Sequence, residues 1–463
     1  MSQEDLQQPT EEQPAEEQPR ERFIPIGRQA VVADLLAAPH WNDEERKNFG
    51  EFCQIFTALY HYKFHNNLEA LKHSYAPFNP DADIVLRDYS NEEKQQFCNT
   101  LVNEMRGLIN NANYEELTIE AVNSAMNAES FYGVSVLVDI EDFDEMIIYY
   151  RGSTTQVKHK RNWKTLFLTE EPIEIPIYQR LFLLLKFKPE ADLAQERAES
   201  WLAAENKESD SSEKLSEAER LKAEEKTNKR KIKLEKKALK QIKKSRQNLP
   251  DDITEEHIFL KLFKNIPRTD LAMLFPNQNV QLKLFDKIRL AITGGGGSIF
   301  GIFSIALKVT VALNPIALIG ALGGFIGMII RQIMSIFTQR TKYMMTLSRN
   351  LYFLNLDNNF GVMNYLVDMA EEEEGKEAIL AYYFLHTNPE KNYTQDELDR
   401  EIENYIQDKY GVAIDFEVDD GLHKLRKEGL LIEKEGGILK VLDLPDANVC
   451  LDKQWDNFFT PGN

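Results

Sequence analysis

LAITGGGGSIFGIFSIALKVTVALNPIALIGALGGFIGMIIRQIMSIF, residues Leu290–Phe337, decides how the rest of this chain is interpreted. Asn314 and Pro315 divide it into two apolar runs. Each run is long enough to cross a hydrocarbon core of about 30 Å, which takes roughly 20 helical residues. Proline starts a helix well but cannot continue one, so the Asn-Pro pair suits a tight turn. The stretch predicts a transmembrane helical hairpin, with a buried hairpin in a large soluble protein as the alternative.

Charged and small residues within these runs indicate how the hairpin would sit. Lys308 and Arg331 are predicted intramembrane charges whose long side chains reach the two surfaces. Small residues at a spacing of four predict close packing of membrane helices, at Gly297, Gly301, Gly320, Gly323, Gly324 and Gly327. Basic residues flank the hairpin and its turn carries no charge, so both termini are expected on the cytoplasmic side.

Composition sets outer bounds on the class of protein. The 463 residues have room for two or three domains, and the net charge of −20 argues against a general nucleic-acid binder. Three widely separated cysteines form no metal-binding spacing and indicate a reducing compartment. The acidic N-terminal segment resembles neither a signal peptide nor a transit peptide. These features favour a bacterial inner membrane, with a mitochondrial or plastid membrane as the alternative.

The predicted fold class is mostly α, α+β, in six parts. They are a disordered acidic tail at 1–22, an α+β domain at 23–188, a charged helical or disordered insertion at 189–250, an amphipathic connector at 251–287, the transmembrane hairpin at 288–338, and a helical region with a C-terminal winged-helix-like unit at 339–463. Within the α+β domain, Val134–Ile140 and Glu145–Tyr150 predict a β-hairpin, and Ile177–Phe187 is a strand or a buried helix.

The insertion contains a strongly basic stretch, Lys226–Arg246, in which Glu235 is the one acidic residue. It is either a solvated insertion or a polybasic arm lying on anionic lipid, where each basic residue contributes about 1 kcal/mol. Nucleic acid is a less favoured third partner, because no aromatic residues are interleaved for stacking. The predicted headgroup contacts are Lys229, Arg230, Lys231, Lys233, Lys236, Lys237, Lys240, Lys243 and Lys244.

The C-terminal region predicts a winged-helix-like unit. Thr394 and Glu397 form a capping box at the start of one helix, a second helix covers Asp420–Lys427, and a hairpin turns at Gly436-Gly437. In DNA-binding versions the helix before the wing reads the major groove with basic and polar residues. Here acidic residues surround that helix, so a protein-contact or structural role is favoured over nucleic-acid binding.

Several longer motifs together resemble a known family. They are RFIPIGR (22–28), YYRG (149–152), YQRLFLLLKF (178–187), LKLFKNIPRTDLAMLFPN (260–277), LYFLNLDNNFGV (351–362) and KEAILAYYFL (376–385). The chain resembles the transmembrane protein 143 family, also described as domain of unknown function 3754, from Phe23 to about Leu444. The resemblance implies a two-helix membrane protein, mitochondrial in animals and otherwise bacterial or plastid, with no assigned activity.

No catalytic template is found: the sequence lacks a GxSxG elbow, a nucleotide-binding glycine loop and an HExxH pair, so neither an enzyme nor a cofactor is predicted. The leading hypothesis is a non-catalytic, membrane-anchored scaffold or adaptor that recruits protein partners, contacts membrane lipid and forms a homo-oligomer. One alternative is an oligomeric transport or channel component in which Lys308 and Arg331 line the path. A second is a membrane-tethered regulator that binds nucleic acid.

Overall fold

The computed structural model describes residues 20–82, 88–127, 135–161, 170–207, 217–247, 253–276, 279–281, 351–434 and 436–458, with isolated positions between them. The chain divides into two compact units. One, here called the terminal unit, combines residues 1–60 with residues 372–463. The other, called the central unit, comprises residues 61–371.

The central unit contains a five-stranded antiparallel sheet. Its strands, in spatial order, are β1 (Glu115–Glu116), β3 (Phe143–Arg161), β4 (Glu170–Phe187), β5 (Ile258–Pro267) and β7 (Asn355–Asn358). A separate antiparallel pair joins β2 (Ser135–Leu137) to β6 (Asn279–Gln281). The helices α2 (Asp43–Tyr75), α3 (Asn91–Asn111) and α4 (Ile119–Asn127) precede the long strands, and α2 begins in the terminal unit.

The middle of the sheet is buried on both of its faces. Along β4, every residue of the run Leu181–Leu185 is buried, with no alternation between exposed and covered positions. Leu183 belongs to a core cluster on one face that also contains Ile148, Phe187 and Phe263. A strand covered on both faces gains from apolar residues at every position, which is why its sequence shows no period of two. The run predicted as a strand or a buried helix is therefore a central strand.

The charged insertion is helical. It forms α5 (Glu190–Lys207) and α6 (Glu217–Arg246), which pack on each other through a small buried cluster of Leu193, Ala194, Ala238 and Ile242. The two helices hold opposite charge: α5 starts with acidic residues, whereas α6 ends in basic ones. Acidic residues near a helix start and basic residues near a helix end both suit the helix dipole.

The terminal unit contains α1 (Arg28–Leu36), the first part of α2, the second part of α7 (Phe360–Thr387), α8 (Gln395–Tyr410), α9 (Val418–Lys427), the hairpin of β8 (Leu431–Lys434) and β9 (Ile438–Val441), and α10 (Leu444–Asn457). The predicted capping box is present, because the carboxylate of Glu397 accepts from the Thr394 amide at 2.9 Å. Aromatic rings form much of the core, with Phe52 stacked on Tyr382 at a centroid distance of 4.0 Å.

A buried ion pair fastens the N-terminal segment to α7 within the terminal unit. The Lys376 side chain is 2% exposed, and its Nζ donates to Glu373 Oε1 at 2.7 Å and to the carbonyl of Ile24 at 2.6 Å. The Glu373 carboxylate also accepts from the backbone amide of Ile24 at 3.2 Å. The RFIPIGR motif is thus held by main-chain hydrogen bonds to one buried lysine and one buried glutamate.

The predicted two-pass membrane protein is contradicted. Within the residues that the structure describes, no helix has both the length and the apolar character to cross a membrane. The long helices α2, α6 and α7 all carry charged residues along their length, which interrupts any apolar run of the required size. This finding overturns the membrane-anchored scaffold, the channel or transport component, the membrane-tethered regulator, and the predicted inner-membrane, mitochondrial or plastid location.

Nearly all of the residues on which the membrane prediction depended lie outside the described part of the chain. Leu290–Phe337 lies outside the described residues except for Met334. The predicted packing glycines Gly297, Gly301, Gly320, Gly323, Gly324 and Gly327, and the predicted intramembrane charges Lys308 and Arg331, lie outside them as well.

Three local predictions also differ from the structure. The hairpin predicted from Val134–Ile140 and Glu145–Tyr150 is wrong, because β2 pairs with β6 and β3 pairs with β4. Asp139 accepts from the Glu141 amide at 3.2 Å and starts a 3₁₀ turn, which ends the first strand early. The amphipathic connector contains β5. The polar residues Asn355, Asp357, Asn358 and Asn359 form a pattern that predicts a turn between helices, but Asn355–Asn358 is strand β7. In both cases pairing in the sheet outweighs the local pattern.

Burial of a carboxylate among other carboxylates on α8 gives a stability prediction for the terminal unit. Burial, followed by the nearby Glu403 and Asp415, raises the pKa of Asp399 from 3.8 to about 6. The folded chain therefore keeps a proton that the unfolded chain has lost, and stability falls as pH rises from about 4 to 6. We expect Asp399→Asn to raise the free energy of unfolding by about 1 kcal/mol at pH 7, after allowance for solvent screening.

Urea unfolding of Asp399→Asn and of the unchanged chain at pH 7 and at pH 4 checks this prediction. At pH 4 the carboxyl is protonated in the folded chain, so the two proteins should have nearly equal stability. An equal difference at both pH values would contradict an ionisation effect.

Candidate functional site

The α5–α6 hairpin contains the predicted headgroup contacts, and the structure sorts them into two groups. Four of the nine face α5. Lys231 Nζ lies 2.7 Å from Glu199, Arg230 lies 2.8 Å from Glu205, and Lys243 lies 3.9 Å from Glu190. Lys237 lies over the ring of Trp201, 5.3 Å from its centroid. The hydrogen bond with Lys231 lowers the pKa of Glu199. These four cations are partnered within the hairpin.

The other lysines form a continuous stripe on α6. Their side chains are exposed and follow one another at steps of three or four residues; they are Lys226, Lys229, Lys233, Lys236, Lys240 and Lys244. We call these six residues the lysine face. At 100° per residue they fall within about 80° of the helix circumference, and 18 residues at 1.5 Å each extend over about 27 Å. Lys226 was not among the predicted contacts, although its spacing from Lys229 and Lys233 follows the same period.

The lysine face points away from α5. Ala238 and Ile242, which pack against α5, lie on the opposite side of the helix. Within the described part of the chain, no salt bridge joins Lys233, Lys236 or Lys240 to a carboxylate. Like charges three and four residues apart on a helix destabilise it by a few tenths of a kcal/mol per pair. Lys233, Lys236 and Lys240 therefore repel one another locally, and an anionic partner would remove this penalty.

Two arginines, one from each helix, join the base of the hairpin to the sheet. Arg197 of α5 lies 3.0 Å from the carboxylate of Asp142, whose side chain is 2% exposed, and it also contacts Asp139. Arg246 of α6 donates to the carbonyl of Lys188 at 3.0 Å and lies over the ring of Phe187. The orientation of the lysine face on the central unit is thus set by contacts at the start of β3 and the end of β4.

A cleft of about 950 Å³ lies beside this base and is lined partly by Glu190, Glu256 and Leu249. Its carboxylates already have partners. Glu190 lies near Lys243, Glu256 pairs with Lys94 at 3.2 Å, and Glu255 accepts from the Glu190 amide at 3.0 Å. The cleft therefore presents no set of uncommitted ligands.

Two of the basic residues of α9 form ion pairs within the terminal unit. Lys424 is buried, and its Nζ lies 2.6 Å from Glu377 and 3.8 Å from Glu374. Burial lowers the pKa of Lys424, but the two carboxylates outweigh it and the net shift is upward, so the ammonium stays charged. Arg426 donates to Glu433 on β8 at 3.1 Å. A DNA-reading helix needs basic side chains that are free to contact the bases, whereas Lys424 is buried and the exposed Arg426 is paired with Glu433.

Several side chains that could bind a metal ion or act as a nucleophile are engaged in structural contacts or are buried. Among the described residues, no group of three or more histidine, cysteine or acidic side chains could hold a metal ion. His61 lies 2.9 Å from the carboxylate of Glu371. Burial raises the pKa of the Cys53 thiol to about 12 and also raises that of Cys98, so both thiols are unreactive.

The fold and this site define a class: an α+β central unit that carries a helical hairpin with one basic face. Comparison with known proteins places residues 143–361 in a match to the family model described as "Protein of unknown function (DUF3754)". The match begins at β3 and ends at the start of α7, so the lysine face and four of the five strands of the sheet lie within it, and β1 lies outside it. It supports assignment of this part of the chain to a domain of unknown function. No solved structure matches the chain.

Proposed function

We propose that this protein is a non-catalytic binding protein whose lysine face contacts the phosphate headgroups of anionic lipid. The observation that carries the proposal is the exposed stripe of six lysines directed away from the α5 carboxylates. The contact is peripheral and electrostatic. It requires no membrane-spanning helix, because charged side chains interrupt the apolar residues of α6 along its whole length.

The magnitude of the attraction suits reversible binding. A basic residue near an anionic lipid surface contributes about 1 kcal/mol, so six of them would give roughly millimolar to micromolar affinity after the entropy of association is subtracted. The attraction falls within a Debye length, about 10 Å at 0.1 M salt and 3 Å at 1 M. Binding should therefore depend strongly on salt.

Lipid is favoured over nucleic acid by the composition of the stripe. All six residues are lysines, which act as point charges, and the described part of α6 has no aromatic side chain for base stacking. Headgroups move laterally and adjust to a row of charges on a rigid helix. A nucleic acid has fixed phosphate spacing and is usually recognised with additional arginine or polar contacts.

Vesicle co-sedimentation of the full chain tests the proposal. The probe is phosphatidylcholine vesicles with about one quarter phosphatidylserine, compared with phosphatidylcholine alone. We expect binding to the anionic vesicles at about 0.1 M salt and release at about 1 M salt. The triple variant Lys233→Glu, Lys236→Glu, Lys240→Glu should bind at least about 100-fold more weakly, because each change removes one attraction and adds one repulsion.

A matched control has the same change in net charge elsewhere. Lys427→Glu, Lys434→Glu, Lys453→Glu alters three exposed lysines of the terminal unit and should bind vesicles like the unchanged chain. Equal loss in both triple variants would contradict a specific role for α6. Tighter binding of duplex DNA than of vesicles at the same salt would replace lipid by nucleic acid as the partner.

Two narrower assignments accompany this proposal. We propose that the family relation extends from Phe23 to about Leu444 and is a relation to transmembrane protein 143, because the motifs RFIPIGR and KEAILAYYFL both lie outside residues 143–361. We also propose a structural role for the winged-helix-like set of α7, α8, α9 and the β8–β9 hairpin, supported by the buried Lys424. A member of that family whose sheet has another strand order would contradict the proposed family relation. Loss of vesicle binding only in the terminal-unit control variant would contradict the structural role of the winged-helix-like set.

A further inference from the structure

A small pocket lies between α2 and α3 in the central unit. Its volume is about 240 Å³, just below the range of about 300–1,000 Å³ for drug-sized ligand sites, so it suits a smaller molecule. On α2 the lining residues Phe64, Asn67 and Leu71 follow at steps of three and four, so one face of the helix forms a wall. Beyond the pocket the rings of His73 and Phe97 are in contact, with centroids 5.4 Å apart, so the two helices run antiparallel.

The floor of the pocket is apolar, and a glycine in the α3 wall keeps it open. Phe64, Leu71 and Leu108 line the pocket and are only 5%, 2% and 6% exposed. A Cβ atom added to Gly107, which also lines the pocket, would have no neighbouring atom within 4 Å. A large side chain at this position would therefore occupy space that a ligand needs.

The wall formed by α3 supplies a carboxylate without a partner. Of the described residues that line the pocket, Glu104 is the only ionisable one. No cation in the described part of the chain pairs with it. Although solvent reaches this side chain, burial raises the pKa of its carboxyl, and no neighbouring charge contributes to the shift. Asn67 and Asn111 add side-chain amides, which can both donate and accept hydrogen bonds.

The end of α3 adds a second preference for positive charge. Asn111 is the last residue of this helix, so the pocket reaches its final turn. A helix C-terminus carries partial negative charge and favours a cation nearby. The last turn of α3 has no basic residue, whereas α2 ends with Lys72 and His73. A cation in the pocket would therefore meet both a carboxylate and a helix C-terminus.

We propose that this pocket binds a small organic molecule with one primary ammonium group and a short apolar body. The ammonium group has three N–H donors, and the Glu104 carboxylate and the amide oxygen of Asn67 are acceptors in the two walls. The apolar body covers Phe64 and Leu108 on the floor. The site uses α2 and α3 and not α6, so it does not depend on the function proposed for the lysine face.

Isothermal titration calorimetry of the full chain at pH 7 tests the proposal, with 2-phenylethylammonium chloride as the probe. We expect saturable binding with a dissociation constant of about 0.1–1 mM, which is reasonable for so small a ligand. The neutral 2-phenylethanol has nearly the same shape but no charge. It should bind at least about tenfold more weakly, because the charged hydrogen bond to Glu104 is lost.

Two variants and a control locate the binding. Glu104→Gln keeps the shape of the side chain and should weaken binding of the probe at least about tenfold. Gly107→Leu should abolish binding by filling the pocket, and without the probe it should melt at or above the unchanged chain, because leucine favours a helix. Glu92→Gln removes the same charge about 18 Å away along α3 and should bind normally.

Four results would overturn the proposal. They are no saturable binding of the probe by the unchanged chain, equal binding of 2-phenylethanol, full affinity in either Glu104→Gln or Gly107→Leu, and an equal loss of affinity in Glu92→Gln and Glu104→Gln.

Discussion

Replacement of Lys376 by methionine is expected to lower the free energy of unfolding of the terminal unit by about 3–5 kcal/mol. Methionine fills a similar volume but provides no donor and no charge. The Glu373 carboxylate on α7 would then remain buried without the ammonium that lies 2.7 Å away. The carbonyl of Ile24 would lose a hydrogen bond of 2.6 Å. The penalty arises from the uncompensated charge more than from the loss of the pair itself.

Urea unfolding, combined with native-state hydrogen exchange of terminal-unit amides, measures this effect. The double variant Lys376→Met, Glu373→Gln removes the stranded charge and should recover about half of the loss. Lys409→Met is the matched control, because Lys409 lies 3.5 Å from Asp34 in a pair that is partly exposed to solvent. It should change stability by less than about 1 kcal/mol. If Lys376→Met also lowers the free energy of unfolding by less than about 1 kcal/mol, the role given to the buried pair is contradicted.

The sequence patterns predicted individual helices better than they predicted which strands pair with each other. The helix carrying Phe49, Phe52 and Phe56 shows apolar residues at three- and four-residue steps, and α2 has these side chains buried. The capping box at Thr394 is equally local and is present. Both patterns depend on residues within one turn or a few turns of a helix, where short-range geometry decides the outcome.

Strand pairing could not be predicted in this way. The run Leu181–Leu185 has no alternation because both faces of β4 are covered, so its period carries no signal. The segment around Leu262 looked like an amphipathic connector until its pairing with β4 and β7 was known. The membrane prediction failed for a different reason: it depended on one stretch, and no described helix satisfies the length and hydropathy it requires.

The candidate site was predicted in part. The basic stretch within Lys226–Arg246 was visible from composition, but composition could not separate lysines that face α5 from those that face solvent. That division requires the position of Glu199 and Glu205 on the partner helix. The side-by-side placement of Arg151, Arg180 and Lys264 was not predictable, because only the register of β3, β4 and β5 brings them together.

Gly421 provides the second large expected effect. A Cβ atom at this position in α9 would lie 2.9 Å from the carbonyl oxygen of Glu377 and 3.4 Å from the Cβ of Ala381, both on α7. Because the nearest atom belongs to the backbone of a packed helix, it cannot move aside as a side chain could. Alanine would gain up to about 1 kcal/mol in helix propensity. We nevertheless expect Gly421→Ala to lose about 2 kcal/mol, because the two helices must separate.

Gly107→Ala is the matched control for the propensity gain. Gly107 also lies within a helix, α3, but a Cβ atom added there would have no neighbouring atom within 4 Å, so the new methyl group meets open space. Here the propensity term acts alone and should stabilise by about 0.5–1 kcal/mol. Urea unfolding of both variants should therefore give opposite signs. Stabilisation by Gly421→Ala would mean that α7 and α9 are not held in close backbone contact, and the buried Lys424–Glu377 pair between them would then lose its structural basis.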